Sequence, residues 1–504
     1  MIDTGPFMDA IHMLSGSWEP WLIVFPGLLI GLLFHAIPGL TTSIAIALFL
    51  PVLPYMSFLQ SLVFMTAMYT GSLFGVAIPA ILLNIPGSAA AVATTFDGFP
   101  MAQQGKQAEA LGYALAASVV GQGVAYIILL FLVQPIGELA IKLGPAEMCI
   151  VALWGLSMIA GLRGRYVSRG LLAGLLGLLL GTIGFSDRGT IRGTMGIEAL
   201  LDGIPTIPAV VGMFAAAELF GLVKSDYIAA DPNAGKVSLM RIVRAAIDTL
   251  RYPVVLLRGS LLGAVIGTLP GGHAVANLLS YSEARRTAKD PEKFGTGDPR
   301  GVIAAEAGNA SSEGGSIATL LALGIPTGGA TAIMLVAFDM HNITGGPQFM
   351  HDHKDLVYAV ILSNLAQILF LIPVGLAFTF AASYVIRIPL RVIIPTVLSL
   401  AVIGAYALNG NMTGPATLAV FAVLGWLLQR FEYPVSATVV GLLLAKLTEG
   451  AMMRTYQMSG GDPRIFIERP AAGVLLLLLV ASLVWPAVKS WRKRGMVRAA
   501  VPGH

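Results

Sequence analysis

Two stretches of this 504-residue chain offer the same chemistry in apolar surroundings: LLNIPGSAAA at 82–91 and ALGIPTGGAT at 322–331. A proline inside a helix removes one hydrogen bond and clashes with the preceding turn. Small residues after it let the backbone unwind. The N–H groups that open the next half-helix then carry partial positive charge and attract anions, while unwound carbonyls suit Na⁺. Asn84, Pro86, Gly87 and Ser88 supply these groups in the first stretch, and Pro326, Thr327 and Gly328 in the second. Two further breaks have the same form. AIPGLTTS brings Thr41, Thr42 and Ser43 after Pro38-Gly39, and TLPGGHAVAN brings His273 and Asn277 after Pro270.

A third kind of chemistry sits upstream of the 326 break. EAGNASSEGG packs Glu306, Asn309, Ser311, Ser312 and Glu313 into one weakly apolar run. Ionisable groups at membrane depth are costly and mark ion or solute paths. Asn309 and Ser311 therefore join the solute-binding candidates, and Glu306, Ser43 and Asn277 are the candidates for ion coupling. Glu218 and Lys446 also lie in or beside apolar runs. Asp97 and Asp339 read as matched loop or cap positions, and His35 and His273 as packing residues. His351 and His353 in MHDHKD have no Cys or His partner nearby, so no metal centre is expected.

The elements that must hold these residues follow from composition. The chain is 56% hydrophobic and 12% charged, with mean hydropathy +0.80. Soluble domains average about 25% charged. So few charges cannot coat a soluble protein of this length, and the pattern is that of an all-α polytopic membrane protein. Its apolar runs suggest about 10–12 transmembrane helices plus broken or re-entrant half-helices. The net charge of +4 belongs to cytoplasmic loops and not to a nucleic-acid partner. The single cysteine, Cys149, permits no internal disulfide and reads as packing. The N-terminus lacks a basic region, so the first apolar run is expected to stay as a span.

The breaks repeat at a fixed distance. Pro270 follows Pro38 by 232 residues and Pro326 follows Pro86 by 240. The difference matches an extra polar loop, EARRTAKDPEKFGTGDPR, in the second half. SMIAGLRGR at 157–165 resembles AVIGAYALNGN at 401–411 at a similar distance. The expected organisation is a first membrane repeat (1–225), a basic cytoplasmic linker (226–251), a second repeat (252–450), and a last span with a basic tail (451–504). Two structural repeats of inverted topology, with paired interrupted segments, are the mark of a secondary transporter. The tail KSWRKRGMVR places the C-terminus in the cytoplasm. No P-loop, G-x-S-x-G or H-E-x-x-H occurs, so neither an enzyme nor an ATP-driven pump is expected, and no cofactor.

The combination of YTGSLFG, ILLNIPG and FDGFPMAQQGK, with GTIGFSDRGTIRGTMGIEALLDGIPTIPAVVGMFAAAELF and AAEAGNASSEGGSIATLLALGIPTGGATAIML, resembles the large membrane subunit of tripartite tricarboxylate transporters, the TctA family. The likeness covers nearly the whole chain. It implies a secondary transporter of the bacterial inner membrane. It implies as partners a small four-helix membrane subunit and a periplasmic solute-binding protein, citrate and related carboxylates as substrates, and Na⁺ or H⁺ as the driving ion. The matching positions are Pro38, Gly39, Tyr69, Gly71, Gly75, Asn84, Pro86, Gly87, Asp97 and Gly98, then Glu306, Asn309, Gly315, Gly324 and Pro326. This chain departs at Thr327, where the family repeats Pro-Gly, in EAGNAS, where an asparagine is replaced, and in FSDRG after GTIG. The expected function is carboxylate import by alternating access at the paired breaks. The alternative is a passive carboxylate channel or membrane scaffold without ion coupling.

Overall fold

The computed structural model describes residues 3–37, 39–162, 167–186, 189–217, 238–385 and 390–481. Pro38, Glu218, residues 218–237 of the linker region and the basic tail lie outside the described residues.

The chain is a multi-pass helical membrane protein. Among the described residues, five helical stretches are long and apolar enough to cross a bilayer: Glu19–Ala36, Phe58–Leu83, Gln107–Ala140, Lys354–Ala381 and Val435–Ser459. A sixth is the pair Leu239–Arg251 and Pro253–Gly267, bent by 85°. Six more apolar helices are 10–17 residues long, as expected where breaks divide spans.

Two compact units form, one from Met1–Ala140 with Pro205–Leu427 and one from Ile141–Ile204 with Leu428–His504. Each draws on both halves of the sequence. The helices of the first unit are α1 (Thr4–Ser15), α2 (Val24–Ala36), α3 (Thr42–Phe49), α4 (Phe58–Leu83), α5 (Val92–Gln103) and α6 (Gln107–Ala140). In the second unit the chain continues with α7 (Pro145–Leu162) and α8 (Val167–Gly181). The first unit resumes with α9 (Thr206–Val211), α10 (Leu239–Asp248), α11 (Pro253–Gly267), α12 (His273–Thr287), α13 (Pro299–Leu323), α14 (Gly329–Met340), α15 (Lys354–Val385), α16 (Leu390–Asn409) and most of α17 (Thr413–Arg430). The second unit closes with α18 (Val435–Ser459).

The repeat seen in the sequence is also a repeat of packing. In the first half, Gly27 and Gly31 of α2 lie against the carbonyls of Phe64 and Met68 on α4, and Gly75 lies against Leu32. In the second half, Gly259 and Gly263 of α11 lie against the carbonyls of Ala304 and Gly308 on α13, and Gly315 lies against Ala264. These are the same positions shifted by 232 and 240. Absent side chains let the backbones approach closely, which is how helices associate in lipid. A second contact recurs within each unit. Gly181 of α8 faces Leu442 and Ala445 of α18, while Gly425 of α17 faces Met213 and Ala217 in the helical turns that follow α9.

The second half of the expected linker is helical. On α10, Ile242 and Ala245 are buried, Arg241 pairs with Glu109 at 2.8 Å, and Leu239, Met240 and Ile247 are exposed. A basic helix with exposed apolar residues, followed by an 85° turn into an apolar helix, suits the membrane surface. The extra loop 288–298 is tied down by charge. Arg300 and Lys293 hold the Asp290 carboxyl well below the usual carboxylate range.

Candidate functional site

The first break begins with a left-handed residue. Asn84 ends α4 at φ 57°, a conformation asparagine tolerates better than most residues. Pro86 cannot continue the helix, and the chain re-enters α5 through a short 3₁₀ turn at Ala89–Ala91. Among the described residues, the N–H groups of Gly87, Ser88 and Ala89 donate to nothing in the protein. Asn84 and Pro86 are exposed, and Gly87 and Ser88 are half-buried. The Ser88 hydroxyl has no hydrogen-bond partner. Beside this loop stands His35, the last turn of α2. A Cβ on Gly87 would lie 3.7 Å from its ring and 3.2 Å from Val76. His35 is buried, holds Thr42 Oγ1 at 3.1 Å through Nδ1, and leaves Nε2 without a partner. Thr42 in turn meets Ser72 at 2.6 Å.

The second break has the same entrance and a different exit. Gly324 ends α13 at φ 67°, and Ile-Pro follows. Here Thr331 Oγ1 accepts from the N–H groups of Thr327 (2.9 Å) and Gly328 (3.0 Å). The corresponding position before α5 is Ala91, which has no such oxygen. Pro326 and Thr327 are buried. One break is therefore open with free donors, and the other is closed on itself.

The breaks adjoin one another. Gly271 N–H donates to the Thr327 carbonyl at 2.5 Å, joining the two breaks of the second half, as Gly87 and His35 join those of the first. Contacts also cross between halves. Ser43 at the start of α3 lies against Gly329 at the start of α14, with Phe214 alongside. Asn277 of α12 accepts from Ala93 N–H of α5 at 2.7 Å. Of the other candidates, Thr41 caps α3 by accepting from Ile44 N–H at 3.4 Å. Asn309 donates to the Leu73 carbonyl at 3.1 Å, where α13 crosses α4. Ser311 faces away from the breaks, against Gly263 in the α11–α13 packing.

Two buried carboxyls occupy α13, two turns apart on one face. Glu313 is surrounded by donors: Thr70 at 2.9 Å, Gln122 at 3.1 Å and Tyr126 at 3.1 Å. Glu306 has Thr94 as its donor, and Thr94 in turn accepts from Asn277 at 3.0 Å. Asn309 and Ser118 flank the Glu306 carboxyl, yet its Oε2 completes no hydrogen bond. A buried oxygen left so costs about 1–3 kcal/mol.

A family model described as the tripartite tricarboxylate transporter TctA family matches residues 21–440. The chain belongs to the TctA family. A protein of Agrobacterium vitis, described as an uncharacterized 52.8 kDa protein in the TAR-I ttuC' 3'region, is 32% identical over 97% of this chain and 99% of its own length. A second from the same organism, described as an uncharacterized protein in the TAR-II ttuC' 3'region, is 31% identical over 47% of this chain and 99% of its own length. No solved structure matches significantly.

For this TctA protein, the Thr327 departure coincides with the capped break, where Thr331 takes both flanking N–H groups. Sequence reading missed Thr70, Thr94, Ser118, Gln122 and Tyr126, which complete the surroundings of the two glutamates. They sit in ordinary apolar helix sequence. A polar residue repeated at helical spacing along α6, as Ser118, Gln122 and Tyr126 are, was the available signal. Asp97, read as a cap, is fully buried and serves a distant loop. Its carboxylate accepts from the N–H groups of Gly295 (2.8 Å), Gly297 (2.8 Å) and Asp298 (2.9 Å) and from Tyr281 (2.9 Å).

Proposed function

We propose that this chain is the large membrane subunit of a binding-protein-dependent secondary transporter in the bacterial inner membrane, with its C-terminus in the cytoplasm. It imports tricarboxylate or related carboxylate solutes, driven by a Na⁺ or H⁺ gradient, together with a small membrane subunit and a periplasmic binding protein. The observation that carries the reading is the open first break. Three consecutive free N–H groups, Gly87 to Ala89, precede a 12-residue helix, beside the Ser88 hydroxyl and the unpartnered Nε2 of His35. Such a constellation recognises a carboxylate, because the donors and the helix dipole both favour negative charge. The closed second break supports alternating access, with this conformation open at one break. The crossed contacts of Ser43 with Gly329 and of Asn277 with Ala93 are reciprocal between the halves, as a two-fold-related pair of repeats would give.

Reconstitution with both partner subunits in liposomes tests this reading. Imposed Na⁺ or H⁺ gradients should drive uptake against the solute gradient, and Gly87→Leu, which fills the approach to His35, should abolish it. Uptake that only follows the solute gradient would assign a passive channel instead.

A further inference from the structure

The bend between α10 and α11 carries a charge that the protein does not absorb. α11 runs PVVLLRGSLLGAVIG, and Arg258 is its one ionisable residue. Arg258 is exposed, and so are Val254, Leu257, Leu261 and Val265, all within about two turns of it. Before the bend, Leu239, Met240, Ile247 and Leu250 are exposed too. Bare apolar residues on both arms of an 85° bend put the bilayer surface at the bend. At 1.5 Å per residue, Arg258 then sits about 8 Å further in, the depth where lipid headgroups meet acyl chains.

A charge at that depth needs a counter-charge. Arg258 lines a cavity of about 210 Å³ between α11 and the end of α12, with Lys289, Arg300, Glu283, Ser280 and Val254. The carboxylate there is already taken: Arg286 holds Glu283 at 2.6 Å. Arg300 is held by Asp290 at 2.7 Å and Asp298 at 2.5 Å. Among the described residues, Arg258 and Lys289 have neither an ion pair nor a hydrogen bond. The cavity thus offers two free cations beside a bare apolar strip. We propose that it binds the phosphate headgroup of an anionic phospholipid, whose acyl chains lie along the exposed face of α11. A guanidinium matches the paired oxygens of a phosphate, and Lys289 adds a second charge. A soluble anion would meet the same cations but gain nothing from Val254, Leu257 and Leu261. None of these residues belongs to either break, so the inference does not rest on the transporter reading.

The test is native mass spectrometry of the purified full-length chain, offered phosphatidylglycerol and phosphatidylcholine of matched acyl chains in equal amounts. Wild type should retain phosphatidylglycerol in preference. Arg258→Gln and Lys289→Gln should each weaken that preference about 5-fold. Arg464→Gln, which removes an exposed cation of the second unit, should leave it unchanged. Arg258 and Lys289 are both exposed, so their variants should fold. Equal retention of the two lipids by wild type overturns the proposal, as does undiminished preference in the Arg258→Gln, Lys289→Gln double variant. Displacement of the lipid by excess inorganic phosphate or citrate assigns the cavity to a soluble anion and overturns it too. Headgroup preference in a chain that carries no carboxylate would sink the transporter reading alone.

Discussion

Asn84 shows how one side chain can be read in two ways. It caps α4 in the left-handed region, and it stands exposed at the mouth of the open break. Asn84→Gly keeps the backbone conformation, while Asn84→Ala strains it by roughly 1 kcal/mol. If the amide binds solute, both variants lose transport and only the alanine lowers the melting temperature. Normal uptake in Asn84→Gly would reduce the residue to a cap. Thr331 makes the opposite case. Thr331→Val leaves two N–H groups of the closed break without an acceptor, at about 1–3 kcal/mol each. A lower melting temperature should follow, and an unchanged one would mean that other groups replace the hydroxyl.

At the scale of elements, the breaks were legible because proline and glycine act locally, through the backbone of their own residues. The left-handed entrance at Asn84 and Gly324 belongs to the same local chemistry. The surroundings of Glu306 and Glu313 were not legible, because Thr70 lies 243 residues from Glu313 and Thr94 lies 212 from Glu306. No local pattern pairs residues that far apart, and only the crossing of α4, α5 and α6 with α13 does so. Asp97 was seen as a cap, but its target could not be named, since the loop it holds begins almost 200 residues later. That loop gives an element-scale prediction. Asp97→Ala leaves three N–H groups without their acceptor, so trypsin should cut after Lys289 and Lys293 faster than in wild type, as followed by mass spectrometry. An unchanged cleavage rate would show that the ion pairs of Asp290 and Arg300 suffice to hold it.

For the whole molecule, the asymmetry between breaks predicts asymmetric chemical access. Ile85 is 37% exposed and its counterpart Ile325 is 2% exposed. The single native thiol, Cys149, is buried and gives a quiet background. Ile85→Cys should react with maleimide quickly and Ile325→Cys slowly, and solute with coupling ion should narrow the gap as the opposite state is populated. Rates that ignore both ligands would argue against alternating access.

The crossed contacts also bear on how such a chain can be assembled. Asn277, from the second half, finishes the start of α5 in the first, and Ser43, from the first half, seats against α14 in the second. Each half thus lacks a part that only the other carries. Expressed as two separate polypeptides divided between Ala217 and Ser238, neither fragment should yield a stable product alone. Made together in one cell they should find each other and restore activity, as a split protein does.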